Sequence, residues 1–274
     1  MIESSQPKHS TPSTAITPTL RDYTSARVAL DRTGTSITTR HALEFSLAHA
    51  QARDAVHTAL GVASLMAALG DRGFATIAVK SAAVDRTEYL RRPDLGRTLC
   101  GASATLLAAR AAETRLPHPD AATVNVILAD GLSALATERH ALPLLDGLLA
   151  LLGLTETRVG QEPALRWALA PIVVAEQARV ALGDEIGEAL RADVTVMLIG
   201  ERPGLSSPDS LGAYATWAPR PGRTDAERNC VSNIRAEGLD YATAASRIAW
   251  FVTEGRRRGL TGVELRGPDT ALLR

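Results

Sequence analysis

Very little in this chain can be oxidised, stapled or stacked: 274 residues carry two cysteines, three tryptophans, four tyrosines and three phenylalanines. Cys100 and Cys230 lie far apart, and nothing has Cys-x-x-Cys spacing. That excludes a zinc knuckle and a disulfide scaffold, and the expectation is two reduced thiols in a cytoplasmic protein. Neither charge is in excess, because Lys plus Arg and Asp plus Glu number 30 each. A nucleic-acid binder would usually show a basic surplus, so no nucleic-acid partner is expected. No apolar run approaches the ~18 residues of a membrane span, and the richest, 144–154, is interrupted by Asp146 and Gly147. The N-terminus also lacks the basic-then-apolar plan of a secretory signal, so no membrane partner is expected. Gly-x-x-x-x-Gly-Lys, Gly-x-Gly-x-x-Gly, His-Glu-x-x-His and Gly-x-Ser-x-Gly are all missing. Each is a local device for phosphate, dinucleotide, zinc or acyl chemistry.

What is present is 45% apolar residues, enough for a core built mainly of alanine, leucine and valine. Residues 1–19 carry Pro7, Pro12 and Pro18 among serines and threonines and read as a disordered tail. Residues 39–70 read as a helix or a bent helical pair, with Phe45, Ala48, Ala52, Val56 and Leu60 on one face. His41, His49 and His57 recur every eight residues, which fans them by roughly 80° per step around a helix. They therefore read as separate histidines, not as a metal site. Residues 74–79 suit a short strand. The charged segment 85–97 reads as a solvated loop, with a docking surface as the alternative. Residues 101–110 read as a helix ended before Pro117 and Pro119.

The pattern then changes. Residues 124–129 form a buried-strand run, Asp130-Gly131 a turn, and Ser133 the N-cap of a helix through Leu152. An apolar run at 167–175, a helix ending near Leu190 and a strand at 194–199 follow. A last helix spans 241–258, with Arg256, Arg257 and Arg258 placed to complement its dipole. Strand and helix alternation predicts the α/β class: a mainly helical portion over 20–117, then a Rossmann-like parallel α/β sheet domain over 118–274.

The chain is organised around residues 194–234. The strand stops at Gly200-Glu201-Arg202-Pro203-Gly204, and a charged pair at the carboxyl end of a parallel strand marks a ligand crevice. Six ordered blocks carry a resemblance: Leu20-Arg21-Asp22-Tyr23, Glu88-Tyr89-Leu90-Arg91-Arg92-Pro93-Asp94-Leu95-Gly96, Ala129-Asp130-Gly131-Leu132-Ser133, Arg179-Val180-Ala181-Leu182-Gly183-Asp184-Glu185, Ile199-Gly200-Glu201-Arg202, and Asn229-Cys230-Val231-Ser232-Asn233. Together they resemble the small (light) subunit family of ethanolamine ammonia-lyase, over roughly residues 20–265. Leu182 and Thr261 stand where the family more often has isoleucine and serine.

The resemblance implies half of an enzyme that converts ethanolamine to acetaldehyde and ammonia by radical chemistry. Its adenosylcobalamin would be shared with a large TIM-barrel subunit that binds ethanolamine, in a hetero-oligomer. Val180, Glu201 and Cys230 match the family's cofactor-binding positions, and no catalytic or metal-ligating residue of this chain is implied. The missing Asp-x-His-x-x-Gly motif agrees with cobalamin keeping its own base on cobalt. Some family members reside in bacterial microcompartments, but the proline spacing of the tail would break a targeting helix.

By residue type alone, Val180 could be core at a helix start, Glu201 an ion-pair partner of Arg202 or Arg228, and Cys230 an inert buried thiol. Two other readings of the chain remain beside the family one. The first is an assembly subunit without cofactor contact. The second is a stand-alone nucleotide-dependent α/β enzyme, which the missing glycine fingerprint weighs against.

Overall fold

The computed structural model describes residues 35–113, 121–154 and 166–267, together with residues 23, 30, 32 and 33. The tail expected at 1–19 lies outside the described residues. The chain divides into two compact units, residues 1–47 and 48–274. In the first, β1 (Arg32–Thr33) and β2 (Ser36–Ile37) pair antiparallel. The bent pair expected over 39–70 is α1 (Thr39–His57) and α2 (Val62–Gly70).

The second unit holds a seven-stranded sheet, mostly parallel, of the α/β class that the sequence predicts. Its strands are β3 (Thr76–Lys80), β4 (Ala122–Ala129), β5 (Trp167–Leu169), β6 (Ile172–Glu176), β7 (Val194–Gly200), β8 (Leu211–Trp217) and β9 (Arg228–Ile234). The order is β3-β6-β4-β7-β8-β9, with β5 beside β4. β3, β6, β4, β5 and β7 run parallel to one another, while β8 pairs antiparallel with β7 and β9 antiparallel with β8. β3 lies ahead of residue 117 and joins the same sheet, so the sheet draws on both sides of the boundary expected there.

Every residue of β4 and β7 is buried, which is why these strands read as unbroken apolar runs instead of alternating ones. Their side chains divide by the two-residue period of a strand. Val124, Val126, Leu128, Val196 and Leu198 enter one core with residues of α2, α5 (Ala134–Leu151) and α7 (Tyr241–Arg258). Ile127, Ala129, Met197 and Ile199 enter a second core with Leu107 of α4 (Gly101–Glu113) and Leu182 and Ile186 of α6 (Leu182–Ala189). Helices thus cover both faces of the parallel part.

The caps follow the sequence. The Ser133 hydroxyl accepts from the Ala136 N–H at the start of α5, and Asp240 accepts from Thr243 at the start of α7. Gly259, at φ 70°, ends α7 in a left-handed turn that a side chain would strain. Of the arginine triplet there, Arg257 and Arg258 hold Glu254, and Arg256 stacks over Trp167 at 5.1 Å.

Three readings change. The charged segment 85–97 is not an open loop: Asp85 caps α3 (Arg86–Arg91), whose Tyr89 is fully buried. The apolar run at 167–175 is two strands, broken at Ala170-Pro171. The sheet is not wholly parallel, because residues 211–217 and 228–234 add an antiparallel edge. Among the described residues no helix is long and apolar enough to cross a membrane.

Candidate functional site

The carboxyl ends of β4, β6 and β7 open onto one cleft of about 390 Å³, bordered by Gly131, Leu132, Val180, Ile199, Glu201 and Tyr214. This is where an open parallel sheet leaves a crevice between loops leaving neighbouring strands. The loops can meet so closely because two glycines face each other. A Cβ on Gly200 would lie 2.0 Å from the Ser133 carbonyl oxygen, and one on Gly131 would lie 2.2 Å from the Gly200 oxygen. The Leu132 N–H donates to that same Gly200 oxygen at 2.9 Å.

The loop after β6 carries Val180 and is held from behind. Buried Asp130 accepts the N–H groups of Gln177 and Ala178 at 2.9 and 3.0 Å, and Arg86 Nη1 at 3.1 Å. The Tyr89 hydroxyl donates to the Ala178 carbonyl at 2.9 Å, and the Arg179 N–H to that of Gly96 at 2.7 Å. Tyr89 is sandwiched by guanidinium groups, Arg86 at 4.7 Å and Arg179 at 4.4 Å from its centroid. Val180 itself is half-buried, packs against the second core and keeps an edge on the cleft.

Burial lifts the Asp130 carboxyl to about 6, against the pull of Arg86 and of the Gln177 and Ala178 N–H groups. The folded protein therefore holds a proton that the unfolded chain releases near pH 4. This group's contribution to stability is full below about pH 4 and is lost as pH rises through 6, a change of up to about 3 kcal/mol. A side-chain carbonyl ¹³C titration should place the Asp130 midpoint near pH 6; a midpoint near 4 would contradict this environment.

Glu201 follows β7, and its N–H donates to the Ser210 carbonyl at 2.9 Å. Its Oε2 accepts from the Ser210 hydroxyl and, at 3.3 Å, from the Asn233 N–H. Gly212 leaves room for the carboxylate, since a Cβ there would lie 3.0 Å from Oε1. Among the described residues Oε1 has no hydrogen-bond partner, so Glu201 is a fixed carboxylate with one oxygen to offer. The ion pair with Arg228 that residue type allowed is not made, because Arg228 is taken by Asp184.

Cys230 is exposed, which removes the reading of a buried thiol. It stands opposite Tyr214 across the β8–β9 ladder. Partial burial raises the Cys230 thiol above its ordinary value, with the Tyr214 hydroxyl opposing. Burial also raises the Tyr214 hydroxyl. Cys230 does not line the cleft itself but meets it through Tyr214, which does.

The structure therefore brings Val180 and Glu201 to one cleft and Cys230 to its border. Tyr214, Arg179 and Asp130 complete the arrangement and were not singled out from the sequence. The signal for Tyr214 was the run Leu211-Gly212-Ala213-Tyr214-Ala215-Thr216-Trp217, whose small residues hide a strand.

The sequence profile of the family described as ethanolamine ammonia-lyase light chain (EutC) matches residues 15–266. The chain is 52% identical over 249 residues to an ethanolamine ammonia-lyase small subunit of Pseudomonas aeruginosa, covering 90% of this chain and 85% of that protein. The corresponding protein of Azotobacter vinelandii is 54% identical over 247 residues, with 90% and 86% covered. That of Pseudomonas fluorescens is 52% identical over 247 residues, with 90% and 85% covered. The chain belongs to the ethanolamine ammonia-lyase light-chain family.

Proposed function

We propose that this chain helps to seat adenosylcobalamin against a large catalytic subunit, in an enzyme that converts ethanolamine to acetaldehyde and ammonia. One observation carries the reading: Val180, Glu201 and, through Tyr214, Cys230 gather at one open cleft. A corrin is a broad apolar plate rimmed by amides. Leu132, Val180, Ile199 and Tyr214 offer apolar contact, and Glu201 Oε1 offers an acceptor for an amide N–H. At about 390 Å³ the cleft is near the lower end of the ~300–1,000 Å³ that encloses a drug-sized ligand. It fits one side of such a plate, which leaves the other to a partner.

When bound, the cofactor supplies homolysis of its cobalt–carbon bond and so the radical chemistry. This chain's residues bind, orient and shield. Val180 would give apolar contact to the bound ring, Glu201 would accept from an amide, and Cys230 with Tyr214 would border the site. No acid, base or nucleophile comes from this chain. Ethanolamine lies with the large subunit, a TIM barrel with its active site at the strand ends. A second reading, assembly without cofactor contact, is favoured by the exposed Leu43 and Leu47 of α1.

Glu201→Ala in the two-subunit complex separates the two. A lost hydrogen bond to a charged group corresponds to a fall of about tenfold or more in cobalamin affinity. The complex should stay intact by size-exclusion chromatography. Unchanged affinity in an intact complex would leave only the assembly role.

A further inference from the structure

Beyond Val180 the surface dips a second time, into a cleft of about 460 Å³ bordered by Arg97, Arg179, Arg223, Thr224, Asp225 and Arg228. The two clefts share Arg179 and Val180. Four guanidinium groups meet here, and their partners decide what the hollow can hold. Arg228 is engaged at 2.6 Å by each oxygen of Asp184, and Arg223 is paired with Glu227. Asp225 points into solvent and comes no nearer than 3.5 Å to Arg228 Nε.

Arg97 and Arg179 remain, and among the described residues neither has a carboxylate partner. Arg179 is fixed by its stacking on Tyr89, and among the described residues its Nε has no hydrogen-bond partner. Its Nη2 reaches only the Tyr89 carbonyl, at 3.5 Å. Val180 and Ala181 border the same cleft. The Leu182, Gly183 and Asp184 N–H groups bond back to Arg179, Val180 and Ala181. The Val180 and Ala181 N–H groups, just ahead of α6, have no backbone partner among the described residues. The positive end of the α6 dipole lies there too.

We propose that this second cleft is an anion site for a phosphate ester, held by Arg97 and Arg179 with the Val180 and Ala181 N–H groups. Planar guanidinium forks suit phosphate oxygens better than a flexible ammonium does. Two sources share this chemistry. One rests on the function proposed above: the phosphodiester in the nucleotide arm of a cobalamin whose ring occupies the first cleft. The other is a separate phosphate-bearing small molecule.

The test uses the two-subunit complex with wild-type, Arg97→Met and Arg179→Met small subunits. Three probes are titrated: cobalamin, cobinamide (the same ring without nucleotide arm or phosphate) and inorganic phosphate. For the nucleotide-arm source, each substitution weakens cobalamin about tenfold or more, and Arg97→Met, which lies outside the first cleft, leaves cobinamide within about twofold. Inorganic phosphate then competes with cobalamin but not with cobinamide. Unchanged cobalamin affinity, with phosphate binding that either substitution abolishes, supports the separate molecule. Equal losses for both corrinoids in Arg97→Met overturn the anion site, as do unchanged corrinoid affinities with no phosphate binding to the wild type. If the wild-type complex binds neither corrinoid, the proposed function fails, while the phosphate titration still decides the anion site.

Discussion

Replacing Asp184 with asparagine is expected to destabilise the protein by about 3–5 kcal/mol, the cost of stranding one partner of a buried ion pair. Asp184 sits in the first turn of α6, and Arg228 opens β9. Their side chains are 3% and 2% exposed and meet through two hydrogen bonds of 2.6 Å. The pair thus ties the antiparallel edge to the helix behind the basic cleft. The two ways of breaking it differ. Arg228 cannot shed its proton, so Asp184→Asn leaves a buried cation supported mainly by Thr216 Oγ1 and the Arg223 carbonyl. Arg228→Met leaves a carboxyl that burial already raises above its ordinary range, and that can neutralise by taking a proton. Urea denaturation should therefore rank Asp184→Asn as the more damaging at mildly acidic pH. Asp184→Asn combined with Arg228→Met should cost clearly less than the two single changes summed. An Asp184→Asn variant within about 0.5 kcal/mol of wild type would contradict this account of the pair.

Gly200→Ala carries the second large effect. Its new Cβ would lie 2.0 Å from the Ser133 oxygen and 2.5 Å from that of Asp130. Both are backbone atoms, so no side chain can swing aside. The β4 and β7 loops must separate, which breaks the bond from Leu132 to the Gly200 carbonyl. Overpacking of this kind typically costs 1–3 kcal/mol, and the rigid surroundings place this variant at about 3. The same separation would splay the wall that carries Glu201. Cobalamin affinity of the complex should therefore fall with stability, whereas Gly70→Ala, with nothing within 4 Å of its Cβ, should change neither. A wild-type melting temperature for Gly200→Ala would show that the loops do not meet as described.

The parts legible in the sequence are those whose burial is complete or whose ends are chemically marked. β4 and β7 are covered on both faces, so they appear as apolar runs, and Ser133 announces the start of its helix. α3 was hidden because only Tyr89 of its six residues is buried while the rest are mostly charged. β8 and β9 were hidden for another reason. Gly212 and the alanines of β8 keep its side chains small, a register shift falls between Leu211 and Ala213, and β9 exposes Cys230, Ser232 and Asn233. The position of Glu201 at a strand end could be read locally. The grouping of Val180 with it, and of Cys230 through Tyr214, is tertiary. Only the family resemblance pointed to those two residues, and no spacing could show that Tyr214 joins them.

On the function proposed above, this chain completes a cobalamin site that it shares with a large subunit. The most direct measurement is acetaldehyde formation from ethanolamine, together with cobalamin affinity, for the large subunit expressed with and without this chain. Activity should require both chains and adenosylcobalamin, and tight cobalamin binding should appear only in the complex. A large subunit that alone binds cobalamin as tightly and turns over as fast would contradict it.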